Sequence, residues 1–160
     1  MATITKLGIP DPSNQLGASP YGNLTAFRYV LETTATGAVK GGDSTAAVAS
    51  GDTVKIGLLP AGFRLIDSEI VVKTGLTATI TAKVGFAYAD GVDSTAVPQD
   101  DDFFGTGITV ATAGRYRNAT SNPSVTLPKE AWLTLTTAVA ANAKASEMEI
   151  IVFAINEGVA

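Results

Sequence analysis

Two residue types that most catalytic sites rely on are missing here: the 160 residues include no histidine and no cysteine. Histidine is the usual general base near neutral pH and the commonest metal ligand. Composition therefore excludes Ser–His–Asp and Cys–His catalysis, zinc held by imidazole or thiolate, and any disulfide. Carboxylate pairs, lysine nucleophiles and carboxylate-bound metals stay open.

The densest group of candidates is acidic: Asp90, Asp93, Asp100, Asp101 and Asp102. Hard cations such as Ca²⁺ take six to eight oxygen ligands, which such a segment can supply. The spacing does not fit the D-x-[DN]-x-[DN]-G-x₅-E pattern of an EF-hand loop. Nor do neighbouring aspartates on one loop readily flank a glycosidic bond from opposite sides. A solvated acidic loop, or one docked on a basic partner, fits better, and no metal or other cofactor is assigned. Arg115, Tyr116 and Arg117 set two cations around an aromatic ring. Such a triplet can grip phosphates or stack on bases, but it has no further basic residues beside it. A rim contact at a protein interface, where Arg and Tyr are enriched, is the better reading. Gly41-Gly42 and Gly105-Thr106-Gly107 match neither phosphate-loop pattern and read as turns. Lys55, Lys73 and Lys83 read as outward strand residues that discourage edge pairing. The sequons at Asn23 and Asn118 are of a kind common by chance.

A formal net charge of −4 argues against a general nucleic-acid binder. No run approaches the roughly 18 apolar residues of a membrane span, and Met1 to Pro10 lacks the apolar stretch of a secretory signal. A chain 46% hydrophobic but only 16% charged suits a surface partly covered by neighbours.

The elements around these candidates read as strands. Residues 1–22 carry Pro10, Pro12 and Pro20 among glycines and predict an extended N-terminal arm, with residues 23–160 forming one domain. Apolar alternation predicts strands over 24–34, 53–59 (Val54, Ile56 and Leu58 inward), 63–74 with a bulge near Asp67 and Ser68, 77–88, 131–139 and 147–156. Shorter strands are expected around 46–49, 103–112 and 124–127, a loop over Asp90 to Asp102, and a helical turn over 138–145. Met148, Ile150, Val152 and Ala154 face one way on the final strand; Ile151, Phe153 and Ile155 face the other. That two-sided apolar strand belongs inside a sandwich or at a subunit contact. The whole predicts an all-β, two-sheet, jelly-roll-like sandwich.

The phrase from Val54 to Ile66, with its Leu-Pro-Ala-Gly turn, resembles a pattern of small tailed-bacteriophage virion proteins. So do the alternating segment Thr77 to Tyr88 and the ending that begins at Trp132. The resemblance covers about Asp52 to Glu157. It implies a capsid decoration or cement protein, often trimeric, bound non-covalently to the major capsid protein on the virion exterior and assembled in the host cytoplasm. The competing reading is a carbohydrate- or receptor-binding module of a fibre or tail. On either reading the chain is not an enzyme and touches neither nucleic acid nor membrane. The expected partner contacts are Ile4, Leu7, Ile9, Leu16 and Tyr21 on the arm, with Arg115, Tyr116 and Arg117. With no metal site assigned, the melting temperature is expected to stay unchanged in excess EDTA. A large drop reversed by Ca²⁺ would transfer the acidic segment to metal binding.

Overall fold

The computed structural model describes residues 1–6, 24–117 and 119–157. Its strands are β1 (Thr3–Thr5), β2 (Leu24–Thr33), β3 (Thr53–Leu59), β4 (Phe63–Thr74), β5 (Thr81–Tyr88), β6 (Asp100–Ile108), β7 (Gly114–Arg117), β8 (Val125–Thr126), β9 (Ala131–Ala138) and β10 (Ser146–Asn156). There is no helix among the described residues. Sheet 1 runs β1-β3-β9-β5-β6 and sheet 2 runs β2-β10-β4-β7, with β8 also on β4. Apart from the parallel β1–β3 pair, every ladder is antiparallel.

The pairing is nested. β5 pairs with β6, β4 with β7, β3 with β9 and β2 with β10, as in one long hairpin folded over on itself. The β4–β10 and β5–β9 ladders then join the pairs into two sheets. This is the strand order of a jelly roll.

Period-2 alternation supplies the core. Phe27, Tyr29 and Leu31 from β2, Met148, Ile150, Val152 and Ala154 from β10, and Leu65, Ile70 and Val72 from β4 are buried on the inner face of sheet 2. They meet Val54, Ile56, Leu133, Leu135, Val84 and Phe86 of sheet 1. Ring pairs Phe27–Phe63, Phe86–Phe103 and Phe103–Phe104 pack edge to face with centroids 5.1, 5.4 and 5.0 Å apart. Burial of this order, at about 1.5–3 kcal/mol per large apolar side chain, drives the fold.

Several local expectations need correction. On β3 the inner position after Ile56 is Leu59, while Leu58 is half-buried. The β3–β9 register shifts between Lys55 and Gly57, so the alternation changes phase. The cause lies in the other sheet. The ring of Tyr29 occupies the space where a side chain on Gly57 would project, with Cε1 only 2.1 Å from the position of a Cβ, and its hydroxyl donates to the carbonyl of Leu58. Residues Thr77 to Ile80 are a turn rather than strand, with Thr79 at φ 75°. The acidic run Asp100 to Asp102 opens β6 instead of lying in a loop. Gly85 permits this: a Cβ there would stand 2.1 Å from the carbonyl oxygen of Asp100. The expected edge strand at 46–49 is one bridge, Ala38 to Ala47. The bulge in β4 is present, with Phe153 opposite Asp67 and Ala154 opposite Leu65, so Ile66 is the extra residue.

No helical turn forms over 138–145. Val139 takes φ 80°, and Asn142 is buried as a junction. Its Nδ2 donates to Thr33 Oγ1 (3.1 Å) and the Lys144 carbonyl (2.9 Å). Its Oδ1 accepts from the Thr77 amide at 3.0 Å. Fixed tertiary hydrogen bonds outweigh a helix propensity of a few tenths of a kcal/mol per residue.

Gly57→Ala is expected to lower stability by about 1–3 kcal/mol, since the added methyl meets a ring held by both sheets. Gly114→Ala, where the nearest atom lies at 3.4 Å, should be near neutral. Paired thermal melts check both; equal, small effects would mean that Tyr29 yields freely.

Candidate partner-binding surfaces

The outer face of sheet 2 follows directly from the strand alternation. With odd residues of β2 and even residues of β10 turned inward, Arg28 and Val30 of β2 and Glu149, Ile151, Phe153 and Ile155 of β10 turn outward. Val71 and Glu69 of β4 stand opposite Arg115 and Arg117 of β7. All four arginines of the chain, Arg28, Arg64, Arg115 and Arg117, lie on this face.

Each arginine has a carboxylate from a neighbouring element. Arg28 forks onto Glu149 with Nη2 at 2.5 Å and Nε at 3.0 Å. Arg64 Nε donates to Glu157 at 2.7 Å, Arg115 Nη1 to Glu69 at 2.8 Å, and Arg117 Nη1 lies 3.6 Å from Asp67. The Arg117 guanidinium also sits 5.9 Å from the Phe153 ring centroid. The hydrogen bond from Arg28 holds the Glu149 carboxyl below its ordinary range, and Arg64 followed by Thr126 does the same for Glu157. Such surface pairs add little stability. Their geometry matters more: the side chains of Arg28, Arg115 and Arg117 are 57, 67 and 61% exposed, whereas Glu149, Glu69 and Asp67 beneath them are 21, 18 and 34% exposed. Guanidinium edges thus surround an apolar strip of Val30, Val71, Ile151 and Phe153. Leu24 and Ile66 are exposed at its end.

A second feature lies on the edge formed by β5, β6 and their connection. Asp90 pairs with Lys129 at 2.7 Å, which holds the Asp90 carboxyl below its ordinary range. The Lys129 ammonium lies 4.6 Å from the Tyr88 ring centroid. Asp101 pairs with Lys83. Asp100 accepts from the Asp102 amide at 3.0 Å and from Asn122 Nδ2 at 3.2 Å. The carboxylates of Asp100, Asp101 and Asp102 come within 4.8 Å of one another. Asp102 is pushed above the ordinary aspartate range, first by its hydrogen bond to Asp100, then by burial and by the Asp100 charge. Beside these groups a cavity of about 330 Å³ has Phe86, Phe103 and Val125 in its lining and Asp100, Gln99 and Asn122 among its polar groups.

The sequence-expected contacts distribute unevenly. Arg115 and Arg117 reach the outer face of sheet 2, while Tyr116 is half-buried against the core and its hydroxyl donates to the Thr112 carbonyl at 3.0 Å. Ile4 is a core residue, 2% exposed, in a strand paired with β3, so it packs inside its own chain. Leu7, Ile9, Leu16 and Tyr21 lie outside the described residues. Sequence reasoning missed Arg28 and Arg64. Their outward parity was readable, but nothing local showed that their strands share a sheet with β7.

No protein-family model matches this chain, and no curated protein matches it. Its fold does match solved structures. A chain in the capsid of Ralstonia phage GP4 aligns with a TM-score of 0.66 at 19% identity, covering 99% of this chain and 100% of that one. A chain in the capsid asymmetric unit of cyanophage Pam1 aligns at 0.60 and 16% identity, covering 93% and 98%. A chain in the acid-stable capsid of Helicobacter pylori bacteriophage KHP30 aligns at 0.50 and 14% identity, covering 82% and 88%. At these identities the shared property is the sandwich fold.

Folded Asp102 holds its proton more tightly than the unfolded chain does. Its contribution therefore favours folding below the ordinary aspartate range and is lost as pH rises through the raised value. Asp102→Asn, which keeps a donor toward Asp100 and removes one charge, should raise the melting temperature at pH 7 and leave it unchanged near pH 3. Melts at the two pH values check this; a gain of equal size at both would place the effect in packing.

Proposed function

We propose that this chain is a structural subunit of a tailed-phage virion, a decoration or cement protein that binds the capsid exterior through non-covalent contacts. The observation that carries the reading is the fold match over 99% of this chain to a chain of a phage capsid, repeated in two further capsids. The composition agrees: without histidine or cysteine, the commonest catalytic and metal-binding arrangements are excluded. On this reading the partner is the major capsid protein, the subunit is a homotrimer assembled in the host cytoplasm, and it is not an enzyme. Leu7, Ile9, Leu16 and Tyr21 are its anchors on the shell: spaced apolar residues in a proline-containing segment can lie along a partner's groove.

The sugar-binding alternative has less behind it. Stacking on a glycan needs exposed aromatic faces, and Tyr29, Phe86, Tyr88, Phe103 and Phe104 are all core residues, while the outward Phe153 is half-buried with the Arg117 guanidinium 5.9 Å from its ring centroid. Trp132 is half-buried with the Lys55 ammonium 5.6 Å from its ring centroid.

The test combines mass spectrometry of purified virions with add-back. The protein should be found in particles. Adding it to particles stripped of it should restore their resistance to heat, and substituting Leu7, Ile9, Leu16 and Tyr21 with serine should weaken rebinding at least about tenfold, the scale of a few lost apolar contacts. Native mass should report a trimer. Absence from virions, or rebinding without any gain in particle stability, would overturn the reading.

A further inference from the structure

We infer that copies of this chain associate head to tail, the arginine-bearing outer face of sheet 2 in one copy receiving the acidic β5–β6 edge of the next. The inference rests on the homo-oligomer proposed above and names its surfaces.

The first observation is the division of basic residues. Every arginine is on the outer face of sheet 2, beside one strand lysine, Lys73, which pairs with Glu147, whereas the outer face of sheet 1 carries Lys55 and Lys83 between threonines and no arginine. Arginine keeps planar, forked donors that tolerate desolvation, while lysine is strongly hydrated and mobile. Protein interfaces are correspondingly enriched in arginine and depleted in lysine. Sheet 2 thus offers the face built to be covered. In three of its four arginine pairs, those of Arg28, Arg115 and Arg117, the carboxylate lies low and the guanidinium stands high, with N–H donors beyond those used in the pairing.

The second observation is the location of the charge. Asp90, Asp93, Asp100, Asp101, Asp102 and Glu130 cluster at the β5–β6 edge against only Lys83 and Lys129. That leaves four uncompensated negative charges at one place, equal to the formal net charge of the entire chain. Opposite charge raised on the arginine rim meets this edge and repels other acidic surfaces.

Shape supplies a third. The face ends in the exposed side chains of Leu24 and Ile66, and the acidic edge holds the cavity floored by Phe86 and Phe103. A projecting apolar group and an apolar recess suit a heterologous contact between copies. Such contacts close into rings when the rotation permits.

Sedimentation and native mass across a concentration series test this on the full chain. Arg115→Glu with Arg117→Glu, and separately Asp101→Lys with Glu130→Lys, should each raise the dissociation constant at least about tenfold, as expected for like charges brought together. Combining all four substitutions restores opposite signs across the contact and should recover the wild-type oligomer. Circular dichroism and melting of each variant identify any misfolding; if the glutamate variant misfolds, Arg115→Gln with Arg117→Gln should still weaken association. An oligomer indifferent to either pair overturns the inference and leaves the oligomer itself standing. So does loss in the arginine variant alone, which would mean that the face meets itself, or a four-substitution chain that folds but stays dissociated. A wild-type monomer at every concentration removes the proposed homo-oligomer and this contact together.

Discussion

The ladder between β10 and its two neighbours is the interaction on which the rest of the molecule depends. Among the described residues β2 has no other strand partner, and β4 pairs with β10 over most of its length. The inner side of β10, Met148, Ile150, Val152 and Ala154, is fully buried and forms the middle of the sandwich. Its outer side carries Glu149, Ile151 and Phe153, which anchor the arginine rim. One strand therefore fixes both the core and the face that the core leaves outward. A central strand with two apolar sides is what a buried parallel strand requires, yet this sheet is antiparallel. The second apolar side thus has no covering layer within the described fold.

The two sheets divide the labour of the surface. Sheet 1 turns threonines and lysines outward and gathers carboxylates at its β6 edge. Sheet 2 turns outward a neutral but finely alternating set of ion pairs. Such pairs contribute little to folding in water. The charge at the β5–β6 edge opposes folding slightly, as the raised Asp102 indicates.

Much of this was legible from alternation alone. β2, β9 and β10 repeat their apolar residues with period 2, and a strand that faces a core has no other way to bury them. What escaped was whatever depended on a residue far away in the chain. The phase change at Leu58 and Leu59 is imposed by Tyr29 from the opposite sheet. The strand beginning at Asp100 relies on the missing side chain of Gly85. The alanine-rich stretch after Ala138 looked helical because its tertiary bonds through Asn142 are invisible locally. β1, three residues long and paired in parallel, has no periodicity to read. Of the binding surfaces, the Arg115–Arg117 triplet was visible as a motif. The rim it belongs to required knowing which strands are neighbours.

The nested pairing has a consequence for the time course of biosynthesis. β2 is the first strand of sheet 2 to leave the ribosome and β10 is the last, so their ladder closes a loop of more than a hundred residues. At about 5–20 residues per second, 160 residues take on the order of 10–30 s to make. For a little under half of that interval, from the completion of β4 at Thr74 to the start of β10 at Ser146, β2 and β4 are synthesised strands whose mutual partner does not yet exist. β4 can pair with β7 and β8 once they emerge, but β2 and the β10 side of β4 must stay open until β10 emerges, the condition under which strands pair with the wrong chain. Completion of sheet 2 is thus tied to the emergence of β10.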